Sequence, residues 1–256
     1  MLDYAAFPDR RQDFIRQILR DNGRVVCAEL AQEIGVSEHT IRRDLHELSK
    51  EGVCRKVYGG AVLLLPDAGS FSLRKEQHLS RKDMIAQKCA SLIVEGNCIF
   101  IDAGSTNLAI TKFIPIELAI TIVTNAPDVA AALLKHPNAE VIMLGGRVQK
   151  VSGSCAGNTA IAQLKNIMFD QAFIGGCAMS AEAGLTGFEY EDCEFKKAAI
   201  ARSEQIIVGL TAEKIPGVAR FLVAGCEEID ILVIEGESAE ATGINLLSEH
   251  MKILSV

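Results

Sequence analysis

The stretch IDAGST, Ile101 to Thr106, holds the residue types of an anion site. It follows a strand-like run, CIFID, and opens a helical pattern, where unpaired backbone N–H groups and the helix dipole receive negative charge. Gly104 permits close backbone approach, and the Ser105 and Thr106 hydroxyls can donate to phosphate oxygens. By itself the stretch is explained equally well as ordinary β-to-α turn chemistry. Two further strand-like runs end in comparable fashion, in Thr124-Asn125 and in Gly145-Gly146-Arg147. Open α/β sheets bind ligands at the carboxyl edges of their strands, so three such ends point to one pocket.

A second stretch carries a different chemistry. In GVSEHTIRRDLHEL, Gly35 to Leu48, Ser37 is placed to cap a helix with Glu38 in its first turn, and Val36 and Ile41 are spaced as a hydrophobic staple. At 100° per residue, Ile41, Leu45 and Leu48 make one narrow apolar stripe. His39, Arg43, His46, Glu47 and Lys50 point the other way, flanked by Thr40 and Arg42. Upstream, AELAQEIG offers Leu30, Ala31 and Ile34, with Gly35 suited to a left-handed helix end. RRQDFIRQILRDNG adds Phe14, Ile15, Ile18 and Leu19 to the same trihelical core. VCRKVYGGAV reads as a hairpin with Arg55, Lys56 and Tyr58 beside a flexible Gly59-Gly60. In such a unit the second helix of the pair enters the major groove, where Arg pairs with guanine, while a basic wing fixes register on the phosphates. On geometry alone, a solvated helix and hairpin without a partner remains the alternative.

The elements that must position these residues follow from pattern and totals. A chain of 256 residues, 49% hydrophobic and 23% charged, is globular, with one large or two unequal domains. From Arg81 onward short β-branched runs alternate with helical patterns: CIFID, ITIVT, EVIML, QAFIG, QIIVGL, DILVIE and KILSV are the expected strands. The predicted class is α/β, with a parallel sheet buried on both faces. The boundaries drawn are 1–62 for a winged helix-turn-helix domain, 63–80 for a linker broken by Pro66 and Gly69, and 81–256 for a larger α/β domain. The net charge of −7 divides unevenly: residues 1–60 hold ten Lys/Arg against ten Asp/Glu, and the rest sixteen against twenty-three. That excludes indiscriminate coating of nucleic acid and leaves room for a local reading head. No apolar run approaches the ~18 residues of a membrane span, and no export signal is visible, so a cytoplasmic location is expected. Eight cysteines and five histidines are dispersed without zinc-ligand spacing, and neither a metal nor a cofactor is expected.

GVSEHTIRRDLHELSKEG followed by RKVYGGAV resembles the DNA-binding signature of the DeoR family of bacterial transcriptional regulators, densely over residues 10 to 62. FIDAGST, VTNAP, VIMLGG, AFIGG, GLTGFEYEDCEFKKAAI and TAEK fall in the order seen in DeoR-type sensor domains. The fold of those domains is similar to ribose-5-phosphate isomerase, and they typically bind phosphorylated sugars. The resemblance implies a repressor of a carbohydrate-utilisation operon, a homo-oligomer (dimer or tetramer), whose operator binding is modulated by a small phosphorylated sugar or related anionic metabolite. The DNA-contacting residues are then Ser37, His39, Thr40, Arg42, Arg43 and His46 with Arg55, Lys56 and Tyr58 of the wing. Asp102, Gly104, Ser105 and Thr106 form the phosphate and sugar end, and Thr124, Asn125, Gly145, Gly146, Lys196 and Lys214 line the rest. Two positions depart from the family pattern. Cys177 stands where an acidic residue is common, followed by Ala178 in place of Gly, and Thr211 stands where Asp is common before the lysine of TAEK, which points to a less hydroxylated or differently arranged ligand. Two competing readings are an isomerase-like enzyme using Glu191 and Lys196, which the acid-poor positions 177 and 211 disfavour, and a large domain that only oligomerises.

Overall fold

The structure is a computed structural model that describes residues 7–65, 69–236 and 251–256. Its first part comprises helix α1 (Pro8–Asn22), strand β1 (Arg24–Val26), helices α2 (Cys27–Ile34) and α3 (Glu38–Lys50), and strands β2 (Cys54–Val57) and β3 (Gly60–Leu63). Ile15, Leu19, Leu30, Ala31, Ile41, Leu45 and Leu48 are buried in one small core, with Phe14, Ile18, Ile34 and Val36 packed at its margin. Gly35 takes the left-handed conformation between α2 and α3, at φ 69°, and Ser37 Oγ accepts the Thr40 N–H at 3.1 Å to cap α3. The third strand, β1, is an addition to the sequence reading, and it sets the role of the wing glycines. The sheet order is β1-β3-β2, antiparallel throughout. A Cβ on Gly60 would lie 1.9 Å from the Val25 carbonyl oxygen, so Gly60 lets β3 approach β1. Gly59, at φ 79°, supplies the turn, and its carbonyl accepts the Cys27 N–H at 2.8 Å. The pair is held in place, and flexibility is not its use.

A charged pair lies inside this core. Asp44 of α3 and Arg11 of α1 are 3% and 4% exposed, with Nε to Oδ2 at 2.5 Å and Nη2 to Oδ1 at 3.1 Å. This two-point match fixes the angle between α1 and α3, which nonspecific apolar contact leaves looser.

The larger part continues through α4 (Phe71–Glu76), α5 (Leu79–Ala90), β4 (Cys98–Ile101), α6 (Ser105–Ile110), β5 (Ile120–Thr124), α7 (Pro127–Leu133) and β6 (Ala139–Met143). A hairpin of β7 (Arg147–Gln149) and β8 (Ser154–Ala156) leads to α8 (Asn158–Leu164), β9 (Phe169–Ile174), β10 (Ala178–Ser180), β11 (Gly184–Gly187) and α9 (Tyr190–Ile200). The chain then forms β12 (Ser203–Leu210), β13 (Phe221–Ala224), β14 (Ile231–Ile234) and β15 (Lys252–Ser255). The seven strands expected from the sequence form one sheet, β15-β14-β12-β9-β4-β5-β6, with every pairing parallel. Apolar clusters cover both faces, one around Phe100, Phe169 and Phe195, the other around Ile85, Ile110 and Phe173. Strands β5 and β6 lie to one side of β4 and the later strands to the other, so the order reverses between β4 and β9. Such a switch point leaves a crevice at the carboxyl ends. A smaller sheet, β10-β11-β13, stands beside it.

The segment expected as a linker is structured where it is described; the expected break at Pro66 lies outside the described residues. Leu64 forms a parallel bridge with Val218, and the Leu65 N–H donates to the Val218 carbonyl at 3.2 Å. Gly69 is followed by α4, anchored by the buried Phe71. Further contacts seat the small domain on the large one. Arg24 pairs with Glu182 at 2.9 Å, and Gly23 packs so closely on Pro216 that a Cβ would fall 2.0 Å from its ring.

Removing the Asp44 carboxylate from beside a buried guanidinium is expected to destabilise the small domain by about 3–5 kcal/mol. In Asp44→Ala the transition of the small domain should move to lower urea while that of the sheet stays in place. An unmoved first transition would contradict the role given to the pair.

Candidate functional site

The crevice is built by two strand ends. β4 runs into Asp102-Ala103-Gly104 and β9 into Gly175-Gly176-Cys177. Asp102 is fully buried, and its Oδ2 accepts the Gly175 N–H at 2.9 Å, which ties the two ends together. A Cβ on Gly175 would stand 2.7 Å from the Ala103 carbonyl, so no other residue lets them approach this closely. Gly104 has φ 132° with open space around its missing Cβ, a backbone few other residues adopt. Above these turns lies an open cavity.

Gly104, Ser105 and Thr106 line the cavity from the start of α6, and Gly176 and Cys177 from the end of β9. Asp192 and Lys196 reach it from α9, Lys214 from the turn after β12, and Arg74 from α4. Lys196 Nζ donates to Asp192 Oδ2 and stands 3.4 Å from Asp102 Oδ2. Burial works against the charge of Lys196, but Asp102 and Asp192 outweigh it and hold the ammonium above its usual range. Burial pushes Asp102 up to about 6, opposed by Lys196. Its Oδ1 has no hydrogen-bond partner among the described residues. Lys214 donates to the Gly176 carbonyl at 2.8 Å. Burial lowers its pKa, and the charges of Arg74 and Lys196 act in the same direction. Lys82, buried at the start of α5, donates to the carbonyls of Arg74 and Gln77. Desolvation first, then Lys214 and Arg74, brings it down to about 8. Cations therefore crowd one side of the cavity and raise one another's electrostatic cost, a condition that an anion relieves.

Of the expected pocket residues, Gly104, Ser105, Thr106, Lys196 and Lys214 come together at the cavity. Asp102 does not line it and acts through Gly175 and Lys196. Thr124, Asn125, Gly145 and Gly146 do not line it either, because they close the neighbouring strands β5 and β6, away from the reversal. Thr124 Oγ1 accepts from Ala126 N at 3.1 Å, and Asn125 Nδ2 donates to the Cys155 carbonyl at 3.1 Å. The Gly145 peptide is held on both sides by Gln163, and Gly146 turns the chain at φ 149°. Of the two departures from the family pattern, Cys177 faces the cavity, while Thr211 is buried and donates to Glu213 Oε1 at 2.7 Å. Glu191 is engaged outside by Arg147 and Gln149. Sequence reasoning missed Asp192 and Arg74. The four-residue spacing of Asp192 and Lys196 could have marked the first; Arg74 lay in a stretch read as connection.

The reading face shows a similar division. His39, Arg42, Arg43 and His46 are exposed along α3, Lys56 is exposed on β2, and Tyr58 stands fully in solvent at the hairpin tip. Arg43 makes no hydrogen bond or ion pair among the described residues. Ser37 and Thr40 hydroxyls lie 2.9 Å apart, and Arg42 is paired with Glu38 at 2.7 Å. Arg55 points to the large domain, donating to the carbonyls of Ala219 and Arg220 at 3.1 and 3.2 Å.

Residues 11–66 match the DeoR-like helix-turn-helix domain, and residues 77–236 match the DeoR C terminal sensor domain. The chain is 31% identical to the HTH-type transcriptional regulator YgbI of Escherichia coli strain K12, over 96% of this chain and 97% of that protein. It is 25% identical to the glycerol-3-phosphate regulon repressor of the same strain, over 95% and 97%. Among solved structures, ribose 5-phosphate isomerase A of Methanocaldococcus jannaschii aligns at 13% identity and a TM-score of 0.41, over 54% of this chain and 55% of that one.

The charge pattern makes a proton balance measurable. With Lys82 at about 8, its amine is partly deprotonated at pH 8, and an anion entering the cavity draws its pKa back up, so protons are taken up on binding. Sulfate carries no titrating proton there. Calorimetry of sulfate binding at pH 8 is expected to depend on the ionisation heat of the buffer in the sense of uptake. Proton release at pH 8 would reverse the assignment.

Proposed function

The chain belongs to the DeoR family of transcriptional regulators in both of its domains, a family of DNA-binding proteins and not of enzymes, and from that premise we propose that it is a repressor whose hold on operator DNA is set by a small phosphorylated sugar or related anion. The observation that carries this reading is the convergence of Lys196, Lys214, Ser105, Thr106 and the open backbone of Gly104 on one cavity at the sheet reversal. A phosphate group there meets hydroxyl and backbone donors and relieves the repulsion among the lysines. The name of the glycerol-3-phosphate repressor agrees with a phosphorylated, hydroxyl-bearing ligand. In this reading residues 1–62 are the DNA-binding domain and 81–256 the sensor, joined by 63–80.

On the DNA side, α3 enters the major groove with Arg43 toward a guanine and His39, Thr40 and His46 toward neighbouring base edges, while Lys56 and Tyr58 meet phosphates. One small head offers limited affinity, so the protein acts as a dimer or tetramer over paired half-sites. It works in the cytoplasm; among the described residues no helix is long and apolar enough to cross a membrane. The isomerase reading finds no support in the site: Lys196 is held as an ammonium between two carboxylates and is no base, and Glu191 lies outside the cavity.

Two substitutions separate the functions. Arg43→Ala is expected to cost operator affinity about 1–3 kcal/mol with unchanged thermal stability, measured by fluorescence anisotropy on an operator selected from random sequence. Ser105→Ala is expected to leave that affinity intact and to weaken release by sugar phosphate. Full operator affinity in Arg43→Ala would remove α3's outer face from the interface, and undiminished release in Ser105→Ala would remove the α6 turn from the anion site.

A further inference from the structure

We propose that Arg74 of α4 is a ligand of the effector's phosphate together with Lys214, so that the bound anion ties α4, the first helix after β3, to the segment on which the DNA-binding domain is seated. This rests on the reading of the cavity as an anion site. Sequence reasoning assigns Arg74 to a linker and no effector role; its place in the fold gives it one.

The first ground is the guanidinium's present company. Arg74 lines the cavity, half-buried, and its Nη1 and Nη2 donate to the carbonyls of Gly69 and Val151, the latter at 3.1 Å. Both acceptors are neutral, and no carboxylate lies within ion-pair distance among the described residues. A guanidinium so placed keeps its charge unneutralised and has further N–H groups for a phosphate, whose geometry it matches better than any other side chain.

The second ground is that the backbone of α4 is fixed from the sensor side. Phe71 is buried and packs on Gly153, where a Cβ would fall 2.6 Å from its ring. The Phe71 N–H donates to the Val151 carbonyl at 3.0 Å. Lys82 holds the other end through the carbonyls of Arg74 and Gln77. Arg74 is therefore presented to the cavity by a braced helix.

The third ground is where Lys214 leads. Residues 216–219 touch the first part of the chain one by one. Pro216 packs on Gly23, and Gly217 packs on Leu65. Val218 N–H donates to the Leu63 carbonyl at 3.1 Å, and the Ala219 carbonyl accepts from Arg55. Without an anion, Arg74 and Lys214 repel; with one between them they are drawn together. The change falls on α4, which follows β3 in the chain, and on 214–219, which β3 and the wing rest upon. Occupancy is thus read by the seat of the reading head with no intermediate relay.

The test uses the full chain and inorganic phosphate, with binding read by phosphorus NMR line broadening in wild type, Arg74→Gln, Arg74→Lys and Lys214→Gln. Arg74→Gln is expected to weaken phosphate by about tenfold or more, and Arg74→Lys by less, as loss of a charge-assisted bidentate contact requires. In wild type, phosphate should protect Arg74 from phenylglyoxal, mapped by mass spectrometry, and slow amide exchange in 71–76 and 214–219. Should Arg74→Gln fail to fold, phenylglyoxal protection in the unsubstituted chain decides: protection upholds the contact and its absence overturns it. Unchanged phosphate affinity in Arg74→Gln beside a loss in Lys214→Gln would overturn the role of Arg74 and leave the anion cavity standing. Phosphate binding without slowed exchange at 214–219 would overturn the bridge. Failure of phosphate to bind wild type would overturn both.

Discussion

The buried Asp102 is the constraint on which the site depends. Its Oδ2 receives the Gly175 N–H and faces Lys196, so one carboxylate joins β4, β9 and α9 where the sheet reverses. Burial alone would favour its neutral form, and its pKa near 6 records that cost. The ammonium of Lys196 offsets it, and Asp192 completes the cluster. Gly175 is then required by distance, because the two strand ends approach to within contact of backbone, and Gly104 by its φ of 132°. The crevice is held open by this polar cluster, and the turn at Gly104 inherits its geometry.

Around that cluster the charges are arranged unevenly. Lys196 is neutralised from within, whereas among the described residues Arg74 and Lys214 donate only to main-chain carbonyls. The seat of the small domain is narrow: one strand bridge, a few backbone hydrogen bonds, an exposed ion pair and close packing at Gly23 and Gly217. A 100-fold change in operator affinity needs only ~2.7 kcal/mol of coupling, which is within reach of one or two charge-assisted contacts. A narrow seat and a strong charge contact are matched in scale, as the proposed control by a small ligand requires.

How much of this was legible in the sequence differs by element. The seven strands read as apolar β-branched runs because a parallel sheet covered on both faces demands them, and α3 read correctly because its cap, staple and stripe are local signals. Strand β1 was missed: three residues, Arg24 to Val26, carry no periodicity, and their pairing with β3 is a tertiary fact. Asp44 was missed for a related reason, since nothing local says that Arg11, thirty-three residues away, turns toward it. In the pocket, Ser105, Thr106, Lys196 and Lys214 were found, but Thr124, Asn125, Gly145 and Gly146 share the same strand-end chemistry and close neighbouring turns instead. Strand-end composition identifies the edge of a sheet; the strand order decides which ends meet. Arg74 had no signal, because a six-residue helix after a turn is too short to show a pattern.

The most direct measurement is the affinity of the full-length protein for a sugar phosphate, chosen from a thermal-shift panel, with and without operator duplex obtained by selection. Linkage between two sites is reciprocal. If the anion shifts the seat of the reading head, operator weakens sugar-phosphate binding by the same factor by which that sugar phosphate weakens operator binding, and Arg43→Ala, with its reduced hold on DNA, shows the full affinity at operator concentrations that suppress wild type. Equal affinity in the presence and absence of saturating operator would contradict coupling between the cavity and the DNA-reading face.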